Sequence, residues 1–300
     1  MVETYSVRSY AWLYGKPFTK GSGFVSSHSL SENTITLPDG TRAHWIGDPA
    51  AEKVLLFFHG GGYLLYPGQG HFQLLHETLR AAEQQGTQLA VLFLSYDISL
   101  QAPYPRQLQQ ASALLKYTLT VLRREPENIF LTGDSAGGNL AIALLSHILH
   151  PHPQIEAIHV PTKLGGAALL SPWVTFNTSS GSMRSNQYSD VLNVAALEKW
   201  ATLFKGLATS DQYMEPLSAP EDWWQGLPTR EVLVIAGGDE LFVDDIQNFA
   251  DQLSSVHKEV ILETVPREAH DHLVMEFFLK EGRTRQREIF EKWLCRALRK

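Results

Sequence analysis

The chain has 300 residues, 44% of them hydrophobic and 19% charged, which is enough apolar material to fill a sizeable core and gives no compositional sign of disorder. Its 25 Lys and Arg against 32 Asp and Glu leave a formal charge of -7, which argues against a phosphate-binding surface, since nucleic-acid affinity rests on clustered cations. The single cysteine, Cys295, excludes an internal disulfide, and no run approaches the ~20 apolar residues needed to span a bilayer.

The N-terminal stretch MVETYSVRSYAWLYGKPFTKG lacks a continuous apolar segment after a basic start. It makes a poor signal peptide, so a soluble, cytoplasmic protein is expected. ENTITLP and TRAHWIG then form two extended runs around Asp39-Gly40, a pair that favours tight hairpin turns. Apolar runs of strand length recur at 53–59, 88–96, 128–133, 165–171, 231–238 and 259–265. Segments with helical periodicity separate most of them. PRQLQQASALLKYTLTVLRRE opens with Pro105 and carries an apolar stripe through Leu108, Ala111, Leu115 and Leu119. NLAIALLSHIL and VDDIQNFADQLSSV are further helices, and GRTRQREIFEKWLCRALRK reads as the solvated face of a last one.

Continuous apolar strands alternating with helices predict an α/β fold whose mostly parallel central sheet is covered by helices on both faces. An antiparallel hairpin opens it. Residues 172–226 break the alternation and are too long for a strand–helix link, so they predict an inserted helical lid. Residues 1–300 thus form a single domain, with a cap drawn from about 1–30 and 172–226.

Gly133-Asp134-Ser135-Ala136-Gly137 fits G-x-S-x-G between a predicted strand and a predicted helix, the setting that motif requires. Glycines permit a sharp turn that exposes the Ser135 hydroxyl, while the following helix aims its first amides at the same place. The alternative, an ordinary strand–helix turn, leaves the rest of the pattern unexplained. FFHGGGY, residues 57–63, follows another strand and bares backbone N–H groups to an anionic oxygen. His59 reads as a brace for that loop rather than a base.

HGGGY some seventy residues before GDSAGGN, with SYDISLQAPYPRQLQQA between, resembles the hormone-sensitive-lipase-like branch of the α/β-hydrolase superfamily. The likeness covers roughly residues 30–295 and is closest to fungal esterase-like members, some of which act in secondary metabolism. It implies an α/β-hydrolase fold and a serine esterase with a Ser–Asp–His catalytic triad in that chain order. It also implies an oxyanion hole made by the amides of Gly61, Gly62 and Ala136.

VLVIAGGDELFVDD offers the acid. The family's D-x-L pattern falls on Asp239, although aspartate there also suits a helix N-cap; Asp244 is the reserve, with Asp245 beside it in a first helical turn. PREAHDHLVME offers the base, and the family's H-G-F pattern puts it at His270. Asp271 and His272 replace the glycine and phenylalanine, which leaves His272 as the alternative base and puts Asp271 where it can perturb its neighbour.

The resulting expectation is a carboxylic ester hydrolase for small to medium apolar or aromatic substrates, working through an acyl-enzyme. Tyr63, Trp173, Trp200, Trp223 and Trp224 are the candidate substrate-binding aromatics, each of which could equally be core of the lid. No metal and no cofactor is required. The partner is a small-molecule ester, with no nucleic acid and no stable membrane insertion, and a homodimer is left open. Two other readings share the motifs: a biosynthetic acyl-transfer or cyclisation enzyme or amidase, and a non-catalytic binding protein such as the plant gibberellin receptors that resemble this family.

Overall fold

The structure is a computed structural model that describes residues 34–300, so the predicted N-terminal cap lies outside the described residues. Thr34–Thr36 (β1) and Arg42–Ile46 (β2) pair antiparallel around Asp39-Gly40, whose glycine takes the positive φ that the turn demands. β2 pairs antiparallel with Leu89–Ser95 (β4). From β4 onward the sheet is parallel, through Lys53–Phe58 (β3), Ile129–Asp134 (β5), Gly166–Leu170 (β6), Val232–Gly237 (β7) and Val260–Val265 (β8). The eight strands lie in the order β1-β2-β4-β3-β5-β6-β7-β8.

The central strands read as unbroken apolar runs because both of their faces are buried. Along β3, Val54, Leu56 and Phe58 enter one core while Leu55 and Phe57 enter the other. The first core lies under Arg106–Thr120 (α2), Ala136–Leu149 (α3) and, further along, Val243–Val256 (α6). The second lies under Gln69–Gln84 (α1), His272–Leu279 (α7) and Arg285–Ala297 (α8). Among the described residues no helix is long and apolar enough to cross a membrane.

The stretch predicted as a lid joins β6 to β7. It holds one turn of helix at Ser182–Ser185 (α4), a three-turn helix at Val194–Lys205 (α5) capped by the Asn193 side chain, and two 3-10 turns. Its start and its later part are both fixed to α3, where buried Asn139 donates to the carbonyls of Trp173 and Met214 and accepts from the Tyr63 hydroxyl. Between them, residues 182–190 reach the turns that follow β7 and β8.

Candidate active site

Ser135 stands between β5 and α3 with φ 52° and ψ -116°, a conformation that strains any L-residue. Its amide donates to Leu170 O of the neighbouring strand, and its carbonyl accepts from the amides of Asn139 and Trp173. The turn can be this tight only because Gly137 has no side chain: a Cβ there would sit 1.9 Å from Phe58 O. Close approach of that kind locks the serine turn to the end of β3, from which the HGGG loop departs.

That loop turns through positive φ at Gly61 and Gly62. Trp200 of α5 lies flat against Gly62, where a Cβ would come within 2.3 Å of its ring. Buried His59 stacks on Tyr96 with centroids 4.1 Å apart, and the Tyr96 hydroxyl donates to His59 O at 2.6 Å. Burial, above all, lowers the His59 pKa to about 3, so the ring is a neutral brace. Among the described residues no acceptor pairs with the amides of Gly61, Gly62 or Ala136, the three donors implied for the oxyanion.

His270 follows β8 and shares one cavity of about 200 Å³ with Ser135, Gly61, Gly62 and Trp200; His71 also lines it. His272 opens α7 instead, with its ring 2.8 Å from Glu281. The residue against His270 Nδ1 is Glu240, at 3.0 Å, and not Asp239. The two are adjacent in the turn after β7, but the turn buries Glu240 completely and directs Asp239 outward, where its backbone bonds to Glu268 and Ser189. Asp244 and Asp245 point to the insertion: Asp244 accepts from Ser182 N and Asp245 from Ser180 Oγ.

The other ring nitrogen, Nε2, is 3.1 Å from Asp271 Oδ2. Asp271 caps α7 in the left-handed region, φ 50°, which lets its side chain fold back over its neighbour. Burial opposes a charge on His270, but Asp271 and then Glu240 outweigh it and hold the imidazole well above 6.5. Burial, together with the charges of Asp134 and Glu240, pushes Asp271 up to about 7 against the pull of His270. Glu240 is raised as well, chiefly by its burial.

Three residues that sequence reasoning did not assign complete the site. Asp134, beside the nucleophile, accepts from Gly60 N at 2.9 Å and lies 3.1 Å from His71 Nε2. This pair fixes the glycine loop to the serine turn and to α1. The third is Asp190, from the insertion. It accepts from the amides of His270 (3.1 Å), Leu241 (2.7 Å) and Val191 (2.7 Å), tying together the loops of base and acid. Asn186 reinforces the tie by donating to the carbonyls of Gly238 and Glu240.

Of the five candidate aromatics, the cavity receives Trp200 alone. Tyr63 is buried and stacks on Phe204 at 3.9 Å; Trp173 packs on Phe176 and Phe242. Trp223 stacks on His150 and donates to Ser146, and Trp224 is buried edge-on to Phe249. These four build the seat of the insertion. The apolar walls come from Leu65, Tyr66, Val191, Leu192, Val274, Met275 and Phe278.

The model of a family with the alpha/beta hydrolase fold matches residues 55–274. The chain belongs to this family. It is 29% identical over 225 residues to an esterase of Acinetobacter venetianus, covering 74% of this chain and 68% of that one. It is 28% identical over 245 residues to an acetyl-hydrolase of Streptomyces hygroscopicus, covering 80% and 75%. Similarity to steryl acetyl hydrolase 1 of Saccharomyces cerevisiae is 27% over 65% of this chain and 46% of the yeast protein. The crystal structure of an esterase from the bacterial hormone-sensitive lipase family superposes with a TM-score of 0.74 at 26% identity, over 90% of this α/β-hydrolase and 85% of that chain. With these relatives the chain stands among the carboxylic ester hydrolases of the hormone-sensitive-lipase-like branch, the resemblance carried by HGGGY and GDSAGG.

Proposed function

We propose that the protein cleaves short-acyl carboxylic esters through an acyl-enzyme on Ser135, with His270 as base and Glu240, rather than Asp239, as the acid that orients it. The carrying observation is that the left-handed serine and His270 share one cavity with the HGGG amides while Glu240 occupies the far ring nitrogen. His270 Nε2 takes the Ser135 proton as Oγ attacks the ester carbonyl, and the oxyanion meets the amides of Gly61, Gly62 and Ala136. The imidazolium returns that proton to the alkoxide leaving group, and the alcohol departs. Water, deprotonated in turn by His270, then attacks the acyl carbonyl and frees Ser135 and the carboxylic acid.

The acyl group is short. A cavity of about 200 Å³ lies below the ~300 Å³ at which drug-sized sites begin, and its walls are mostly apolar. The names of the acetyl-hydrolase relatives agree with that size. Trp200 closes the side facing the glycine loop. The testing experiment is hydrolysis of p-nitrophenyl esters from acetyl to octanoyl by wild type and Ser135→Ala. The expected result is kcat/KM highest for acetyl or butanoyl, with turnover lost in Ser135→Ala. A wild type that resists a fluorophosphonate probe and cleaves none of the series would overturn the proposal.

A further inference from the structure

The linked charges at the cavity and behind it number one carboxylate more than they have cations to match. Asp134, Glu240 and Asp271 meet His71 and His270 there, so even two protonated imidazoles leave one negative charge over. Among the described residues no lysine or arginine lines the cavity. Asp134 is 1% exposed, and its Oδ1, like Oδ1 of Asp271, is buried without a hydrogen-bond donor. Both residues line the cavity, and the Asp271 side chain, 13% exposed, is the more accessible of the two. Buried anionic oxygens are costly unless something positive reaches them. Two further walls are the rings of Trp200 and Phe278, and aromatic faces attract cations.

We propose that Asp271 is a recognition point for a cationic ammonium group, so that the esters preferred by this enzyme carry such a group close to the scissile bond. This rests on the ester-hydrolase reading above. The arrangement also links recognition to catalysis. In the structure the Asp271 carboxylate occupies His270 Nε2, the nitrogen that must face Ser135. An ammonium bound to Asp271 brings one positive charge, and the Nε2 proton leaves to solvent; the total charge of the cluster is unchanged. His270 is then neutral and free to take the Ser135 proton. A neutral ester brings no such charge, so its slower turnover draws on His270 that has lost the Nε2 proton to solvent unaided.

The test compares isosteric esters in wild type, Asp271→Asn and Asp271→Gly, both replacements being at ease with the φ of 50° at this position. The pairs are acetylcholine against 3,3-dimethylbutyl acetate, and methyl 4-(trimethylammonio)butanoate against methyl 5,5-dimethylhexanoate. Binding of n-propylammonium against n-propanol is measured by calorimetry on Ser135→Ala, in two buffers of different ionisation enthalpy. At pH 8 the wild type is expected to favour the cation about tenfold or more in at least one pair. n-Propylammonium is expected to release close to one proton on binding. Both effects should fall away in the Asp271 variants. A wild type blind to charge in both pairs and in binding, or a preference as large in Asp271→Asn and Asp271→Gly as in wild type, overturns the proposal. Asp271-dependent n-propylammonium binding in a protein that cleaves no ester would support the recognition site and overturn the hydrolase reading instead.

Discussion

His71 with Asp134, and His270 with Glu240 and Asp271, are built from the same residue types at nearly the same distances, 3.1 Å in the first and 3.0–3.1 Å in the second. They differ in number. One imidazole meets one carboxylate at His71, and each shifts the other against the drag of burial: Asp134 is lowered and His71 raised. That pair is closed, and it holds the glycine loop, the serine turn and α1 together. His270 meets two carboxylates, and burial together with the charges of Asp134 and Glu240 leaves Asp271 near the point of taking a proton at about 7. Equal geometry with unequal stoichiometry separates a fastener from a working part.

The sharpest way to break this comparison is at Glu240. Glu240→Gln keeps the shape but presents the wrong partner to His270 Nδ1, and kcat on p-nitrophenyl acetate is expected to fall about 10³- to 10⁴-fold. His71→Asn should instead cost stability, about 3–5 kcal/mol by denaturant melts, because it strands the buried Asp134 charge. The pH dependence follows from the shifts. His71 is raised from 6.5, so its contribution is complete below that value and fades as pH rises through the raised one. Asp134 is lowered from 3.8, so its contribution is complete above that value and fades as pH falls through the lowered one. The destabilisation should therefore be greatest between roughly pH 4 and 6.5.

Asp190→Ala should lower kcat about tenfold on a neutral ester and raise KM less, since it frees the amides of His270 and Leu241 and, of the cavity's apolar walls, loosens Val191 alone. Asp190→Asn, which keeps one acceptor, should recover part of the loss. Removing a carboxylate from Nε2 lowers the His270 pKa, so Asp271→Asn should move the acid limb of the kcat/KM profile on a neutral ester down by about one pH unit. The smallest effect belongs to Asp239→Asn, expected to stay within about twofold on p-nitrophenyl acetate. A large loss there would return the acid role to Asp239.

Strands were legible because burial on both faces leaves no polar residue to interrupt the run: the stretches read at 53–59 and 231–238 contain Lys53–Phe58 and Val232–Gly237. The helix at Val243–Val256 coincides with the stretch read from its apolar period. Turns have no period, and this is where the string decides least. Asp239 and Glu240 are neighbours in GGDEL, and nothing in the string says which one faces inward. A tryptophan, likewise, is spelled the same whether it lines a cavity or anchors an insertion, so Trp200 could not be told from Trp223. His71 and Asp190 escaped because their meaning is a partner 63 residues away in one case and 80 in the other.

Gly137 pressed against the Phe58 carbonyl makes the serine turn and the amide loop one piece of backbone. Neither can be reshaped alone, so variation in what the enzyme accepts has to come from elsewhere around the cavity. Two walls are open to change: Val191 and Leu192 on the insertion, and Met275 and Phe278 on α7, whose neighbour Val274 belongs to the second core. A library confined to those four positions would retune the acyl and alcohol choice while the reacting centre keeps its shape. The same library spread over the glycine motifs would mostly return proteins that fail to fold.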